Sequence, residues 1–222
     1  MKDNSSRHEL YFHAFLIKDA EFTDGEEFPK IHKEISYPNK IITFSKALRT
    51  DDFNQWVCFY EEDYKFMRLV NNPKRYLKIL KRFNGVISPD FSIRSNMPLF
   101  MQKGICGLGR SFAYWFQENG IKVIPNVRYT DKRCLDFFCL GIEPGGTIAI
   151  STLGALHKNK KNNIKKTQYA LEISVTKLKP INIVIYGSAP KEIVEKYERQ
   201  GINIIKFESD TSVYFQKKEK ST

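Results

Sequence analysis

GVISPDFSIRSNMPLFMQKGICGLGRSFAYWFQENGIKVIPNVRY, from Gly85 to Tyr129, reads as a strand, a long helix and a second strand. Val86 and Ile87 are a short apolar run closed by Pro89, and Lys122 to Pro125 are another. Between them, Phe112, Tyr114, Trp115 and Phe116 lead to Asn119-Gly120, a helix C-terminal signal. Gly104, Gly107 and Gly109 weaken the first half of the helix, so an irregular start after Met97 is expected. The strand endings carry the information. Ser88, Asp90 and Ser92 follow the first strand, and Asn126 and Arg128 follow the second. Polar residues placed just beyond apolar strands belong at the edge where α/β proteins bind ligands.

The same scheme extends in both directions. Upstream, Ile41 opens a short strand, and the apolar run Trp56 to Tyr60 stops abruptly at Glu61, Glu62 and Asp63. A fully apolar run suits a strand covered on both faces. Asn71-Asn72-Pro73 divides the following segment into helices over Asp63 to Val70 and Pro73 to Arg82, since proline fits a first helical turn. Downstream, Asp131 is expected to cap a short amphipathic helix reaching Leu140. Strands are predicted at Thr147 to Ser151, Asn182 to Tyr186 and Ile202 to Phe207. Helices are predicted from about Lys166 to Leu178 and after Pro190, and Val213 to Phe215 reads as an edge strand. Residues 1–40 read as an arm packed on the domain through Tyr11, Phe12, Phe15 and Phe22. Residues 41–215 form one α/β domain and 216–222 a charged tail.

Strand and helix thus alternate about seven times, with connections long enough for right-handed crossovers. The fold class is α/β, as a complete or incomplete (β/α) barrel-like arrangement or, alternatively, an open doubly wound, mainly parallel sheet. Polar endings on nearly every strand favour the barrel, where all C-terminal ends ring one mouth. An open sheet uses chiefly those at its switch point.

Composition limits the partners. With 222 residues, 41% of them hydrophobic and 14% aromatic, the chain can bury a substantial core. No apolar run approaches the roughly 20 residues that span a bilayer, and the first residues lack a secretory core. A cytoplasmic protein without a membrane partner is expected. Cys58, Cys106, Cys134 and Cys139 make no CxxC pair and read as buried free thiols. The four histidines are scattered, so no metal site is expected. The net charge of +11 favours phosphate-bearing partners, against the plainer reading of a lysine-rich solvated surface.

The candidate residues follow from the strand ends. Asp90, Asp63 and Arg128 are the candidates for chemistry, a carboxylate as base or metal ligand and a guanidinium for an anion. Ser92, Asn126, Ser151, Thr152, Gly154, Tyr186 and Ser188 are candidates for ligand binding, with Glu62 beside them. Lys158, Lys160, Lys161, Lys165 and Lys166, together with His157, follow the strand ending near Thr152 and are candidates for phosphate contact. Arg94, Lys103 and Arg110 would add charge to that mouth. Each has a plainer reading: Asp90 as a turn cap, Arg128 as the partner of Asp90 or Asp131, and the lysines as a solvated loop. No P-loop, nucleophile elbow, dinucleotide fingerprint or kinase set is present, and no motif names a cofactor.

The runs YLKILKRFNGVISPDFS, MPLFMQ, YWFQENGIKVIPNVRYTDKR, FFCLGI and TIAIST resemble the uncharacterised domain-of-unknown-function family numbered 4417, found in bacteria, their mobile elements and phages. The resemblance spans roughly Trp56 to Phe207. Carried over position by position, its shared polar residues are Asp63, Asp90, Ser92, Asn126, Arg128, Ser151, Thr152 and Gly154. The chain departs at Tyr129, where tryptophan is common, and in the LHKNKK insertion after Ala155. The resemblance implies a phage or mobile-element setting, in a bacterial host's cytoplasm, but no reaction. Three functions remain open. The first is binding of nucleic acid or a phosphorylated small molecule at a basic mouth. The second is an enzyme acting on a phosphate-containing substrate through Asp90 or Asp63 and Arg128. The third is a non-catalytic protein that blocks a host defence component.

Overall fold

The computed structural model describes residues 11–153 and 160–219. Among these, strands and helices alternate from residue 41 onward. β1 (Ile41–Thr43) is followed by α1 (Phe44–Ala47), β2 (Trp56–Cys58), α2 (Asp63–Asn71) and α3 (Pro73–Leu80). The quoted unit is β3 (Gly85–Ile87), α4 (Leu99–Glu118) and β4 (Val123–Ile124). β5 (Thr147–Ser151), α5 (Lys160–Leu178), β6 (Asn182–Tyr186), α6 (Lys191–Arg199), β7 (Asn203–Phe207) and α7 (Asp210–Glu219) complete the chain.

The strands form two wholly parallel sheets, β1-β2-β3-β4 and β5-β6-β7, each in sequence order without reversal. A parallel bridge from Asn126 to Ala149 connects the end of β4 with β5. The apolar strands are covered on both faces. On one face Trp56, Cys58 and Tyr60 cluster with Ile87, Ile124, Ala149, Val184 and Tyr186, with Ile41, Ile205 and Phe207 packed against them. All seven strands contribute to this cluster and no helix does. The alternate residues, such as Val57, Val86, Val123, Ile148 and Ile183, pack on the other face against Phe66, Leu80, Phe112 and Leu171 from the helices. Gly85 makes room for Trp56, since a Cβ there would lie 2.5 Å from the indole ring.

Several sequence expectations are corrected. α4 is continuous from Leu99, not irregular at its start. Its glycines serve packing: a Cβ on Gly109 would stand 3.3 Å from the Pro89 carbonyl oxygen, which lets the helix approach the loop carrying Asp90. α5 is already helical at Lys160, ahead of the expected start at about Lys166, because KKNNIKK contains no helix breaker and Ile164 packs on the core. Lys160, Lys161, Lys165 and Lys166 therefore lie on a helix, not in a loop. Val213 to Phe215 belong to α7, not a strand. Ser209 opens that helix, its hydroxyl accepting from the Ser212 amide at 3.2 Å and its carbonyl from the Val213 amide. Asp131 does accept from the Arg133 amide, but it caps only a 3-10 turn over Lys132–Cys134. In the N-terminal segment the packing residues are Leu16, Phe28 and Ile31, with Phe15 partly buried; Phe12 is 99% and Phe22 39% exposed. Cys58, Cys134 and Cys139 are buried free thiols, whereas Cys106 is half-buried.

Candidate functional site

The end of β3 delivers Ser88 and Asp90, and the end of β4 delivers Asn126 and Arg128. Parallel pairing of Ile87 with Ile124 aligns the two ends. The Ser88 hydroxyl accepts from the Asn126 amide nitrogen at 2.8 Å, which holds the two loops together. Asp90 then receives two donors: Asn126 Nδ2 at 2.8 Å on one oxygen and Arg128 Nη1 at 2.6 Å on the other. Asn126 is itself oriented by Tyr60, whose hydroxyl donates to its Oδ1 at 3.0 Å. The Tyr60 ring stacks on Tyr186 with centroids 5.0 Å apart. A chain of hydrogen bonds therefore links β2, β4 and β3 through Tyr60, Asn126, Asp90 and Arg128.

Asp90 is 8% exposed. Burial raises its carboxyl above the usual carboxylate range, and the charge of Arg128 with the Asn126 amide works against that rise. Burial likewise pushes the Tyr60 hydroxyl well up, so it remains a proton donor to Asn126.

Two clefts meet at this pair, both bordered by Asp90, Arg128, Ser151 and Leu153. The first, about 460 Å³, lies between the strand ends and α5. Arg94, Arg128 and Lys166 line it, Asp90 is the one carboxylate on its border among the described residues, and Tyr129, Ile93 and Leu171 supply apolar wall. The Thr130 hydroxyl on its border is buried without a hydrogen-bond partner among the described residues. The second, about 820 Å³, opens toward β1, β2 and α7. It is mixed in charge, with Glu61, Glu62 and Asp210 beside Lys46 and Lys65.

Of the candidates, Asp90, Asn126, Arg128, Ser151 and Lys166 border the first cleft, and Ser92, Glu62 and Tyr186 border the second. Asp63 lines neither cleft. Both its oxygens are taken by Ser92, at 2.9 Å from the hydroxyl and 3.2 Å from the amide, so it anchors the loop after Asp90. Thr152 is buried and donates to the Ser188 carbonyl at 2.8 Å, so these two residues shape the β5 and β6 ends. Lys165 is exposed on α5. The side chains of Lys160 and Lys161, and all of Gly154, His157 and Lys158, lie outside the described residues. Of the three additional cations, Arg94 is at the mouth, Lys103 pairs with Glu26 at 2.6 Å, and Arg110 is 3% exposed, donating to the Leu140 and Phe138 carbonyls. Sequence reasoning missed Tyr60, treated as a plain apolar strand residue, and Asp210, which lies beyond the last clear strand. Neither carries a distinguishing local signal. Among the described residues no group of three or more His, Cys, Asp or Glu side chains is placed to hold a metal ion, and no helix is long and apolar enough to cross a membrane.

The chain is similar to the Gene 1 protein of Mycobacterium phage L5, 30% identical over 129 residues that cover 58% of this chain and 56% of the relative. It is also similar to the Gene 1 protein of Mycobacterium phage D29, 33% identical over 99 residues, 43% of this chain and 36% of the relative. The chain thus spans about half or less of the length of these curated relatives. No solved structure matches it. The model of the family described as Domain of unknown function (DUF4417) matches residues 20–208, a span containing Tyr60, Asp90, Asn126 and Arg128, and the chain belongs to that family.

Proposed function

We propose that this chain binds a phosphate-bearing ligand, a nucleic acid or a phosphorylated small molecule, at the cleft edged by Arg94, Arg128 and Lys166. One observation carries this reading: three cations line a cleft whose one bordering carboxylate among the described residues, Asp90, is already paired with Arg128. A guanidinium pair and an ammonium around a partly apolar pocket suit a phosphate attached to a larger group. The volume lies within the roughly 300–1,000 Å³ of small-ligand sites. Lys165 is exposed on α5 just before Lys166, and Lys158, Lys160 and Lys161 stand close by in sequence, so in this reading they widen the positive region for a longer anion. In this reading the seven strands curl into a barrel-like wall whose C-terminal ends form the mouth. The sequential strand order and a helix-free cluster drawn from every strand support that shape. The phage relatives support a role in the cytoplasm of a bacterial host.

Titration of labelled single- and double-stranded DNA and RNA, and of phosphorylated small ligands, at two salt concentrations tests the proposal. Binding that weakens with salt and is reduced in Arg94→Ala and Lys166→Ala is expected. Absence of binding to every probe at low salt would overturn it. A second reading, an enzyme on a phosphate-containing substrate, is favoured by one feature. Asp90 is a buried carboxyl with raised proton affinity that borders both clefts, as suits a general acid or base. Turnover of a bound ligand that stops in Asp90→Asn while binding persists would establish it.

A further inference from the structure

We infer that the ligand is bipartite: its phosphate occupies the cation-lined cleft and a hydroxyl-rich group, a sugar, occupies the second cleft, with the joint lying over the Asp90–Arg128 pair. The inference rests on the phosphate-binding reading above and narrows it to phosphorylated sugars, including nucleotides.

The geometry points to this because the two clefts are not separate sites. They share Asp90, Arg128, Ser151 and Leu153, so a ligand leaving one enters the other beside the same ion pair. Arg128 has 36% of its side chain exposed while its Nη1 is held on Asp90, which leaves the rest of the guanidinium for an anion. The charges on the two sides differ. Beyond the pair toward α5 stand Arg94 and Lys166; beyond it toward α7, Lys46 and Lys65 are already paired with Asp210 and Glu62, which leaves Glu61 as the carboxylate without a cation among the described residues, beside the hydroxyls of Ser45 and Tyr214. A second phosphate would meet carboxylates there, whereas sugar hydroxyls donate well to carboxylates and gain charge-assisted hydrogen bonds. Glu61 is suited to this. Ser45 fixes it by donating from its hydroxyl at 2.5 Å and its amide at 2.8 Å, and among the described residues no cation pairs with it. Asp210 is held in place by Lys46 at 2.7 Å, its backbone amide donating to the Tyr186 hydroxyl at 3.1 Å. A carboxylate held by two hydrogen bonds from one residue, as Glu61 is by Ser45, loses little freedom when a hydroxyl arrives.

The experiment compares inorganic phosphate, ribose 5-phosphate and ribose by calorimetric titration of the full chain. Ribose 5-phosphate is expected to bind at least about tenfold more tightly than inorganic phosphate, one charge-assisted hydrogen bond's worth. Glu61→Gln should shrink that ratio toward one. Arg94→Ala with Lys166→Ala should weaken both phosphate probes by the same factor. Equal affinity for inorganic phosphate and ribose 5-phosphate in the unmodified protein overturns the bipartite site while the phosphate-binding reading stands. Failure of both phosphate probes to bind overturns the bipartite site, and the phosphate-binding reading falls with it only if the DNA and RNA probes also fail. Far-UV circular dichroism confirms that each variant is folded, and the ratio in the unmodified protein decides the matter even if one is not.

Discussion

Arg128 sets its Nη1 2.6 Å from Asp90 Oδ2 across a boundary shared by two clefts, and only Asp90 of the two is buried. The pair is therefore unequal: removing the arginine strands a charge, whereas removing the acid frees a guanidinium that can turn to water. Arg128→Ala should lower stability by about 2–3 kcal/mol, somewhat below the cost of breaking a fully buried pair. Asp90→Asn should cost about 1 kcal/mol, since the amide oxygen still accepts from Asn126. Urea unfolding of both single variants and the double variant should give a coupling of about 1–3 kcal/mol; strictly additive costs would show that the pair is not coupled.

Two aspartates should bend the pH profile in opposite directions. Burial raises Asp90 above its ordinary value near 3.8, so the folded chain holds that proton more tightly than the unfolded one. Its contribution is present below that pH and lost as pH rises through the folded value. The stability deficit of Asp90→Asn should therefore shrink as pH rises above its ordinary value. Asp131 is lowered, chiefly by the Arg133 side chain, so its contribution is present above its ordinary value and lost as pH falls. Asp131→Asn should weaken the protein at neutral pH and leave it unaltered in strong acid. Thermal unfolding across buffers reads both, and a deficit of Asp90→Asn that grows with pH would contradict the assignment.

The glycines of α4 and the β6 end should separate by what surrounds them. Nothing lies within 4 Å of a Cβ on Gly104, so Gly104→Ala should stabilise by about 0.5–1 kcal/mol through helix propensity. Gly109→Val should destabilise despite the same propensity, because its Cβ already stands 3.3 Å from the Pro89 carbonyl. Gly187 has φ +110, and a Cβ there would meet the Thr152 hydroxyl at 2.6 Å. Gly187→Ala should cost about 1–3 kcal/mol and disturb the β5 end. Melting temperatures should place Gly104→Ala above the unmodified protein and the other two below it, and any variant on the wrong side would refute the packing described.

Tyr60→Phe keeps the stack on Tyr186 but removes the donor to Asn126 Oδ1. A buried amide oxygen without its donor should cost about 1–2 kcal/mol. A neutral result in chemical denaturation would mean that Asn126 is positioned by Ser88 and Asp90 alone.

Thiol labelling should rank the cysteines. Burial pushes Cys58 and Cys139 up to about 12, which suppresses the reactive thiolate, and Cys134 is raised as well. Burial raises Cys106 too, with Arg110 working against the rise, so access decides: as the half-buried thiol it should react first with a disulfide reagent under native conditions, and the other three only on unfolding. Prompt modification of Cys58 would contradict its place in the strand cluster.

The local pattern by itself determined the alternation of strands and helices, the parallel pairing and the strand ends as the place of the polar residues. Those features depend on short-range periodicity and turn chemistry, which lie within a few neighbours of each residue. The same locality explains the misreadings. Tyr214 and Phe215 alternate like a strand but sit in a helix opened by Ser209, and the glycines of α4 look like breaks yet serve close contact with Pro89. Only the tertiary structure decided that Asp63 is occupied by Ser92, that Arg110 is buried, and that Tyr60 reaches Asn126 across 66 positions. Such pairings follow from how the strands lie beside one another in space, and no spacing along the chain encodes the distance between side chains that the fold itself brings together.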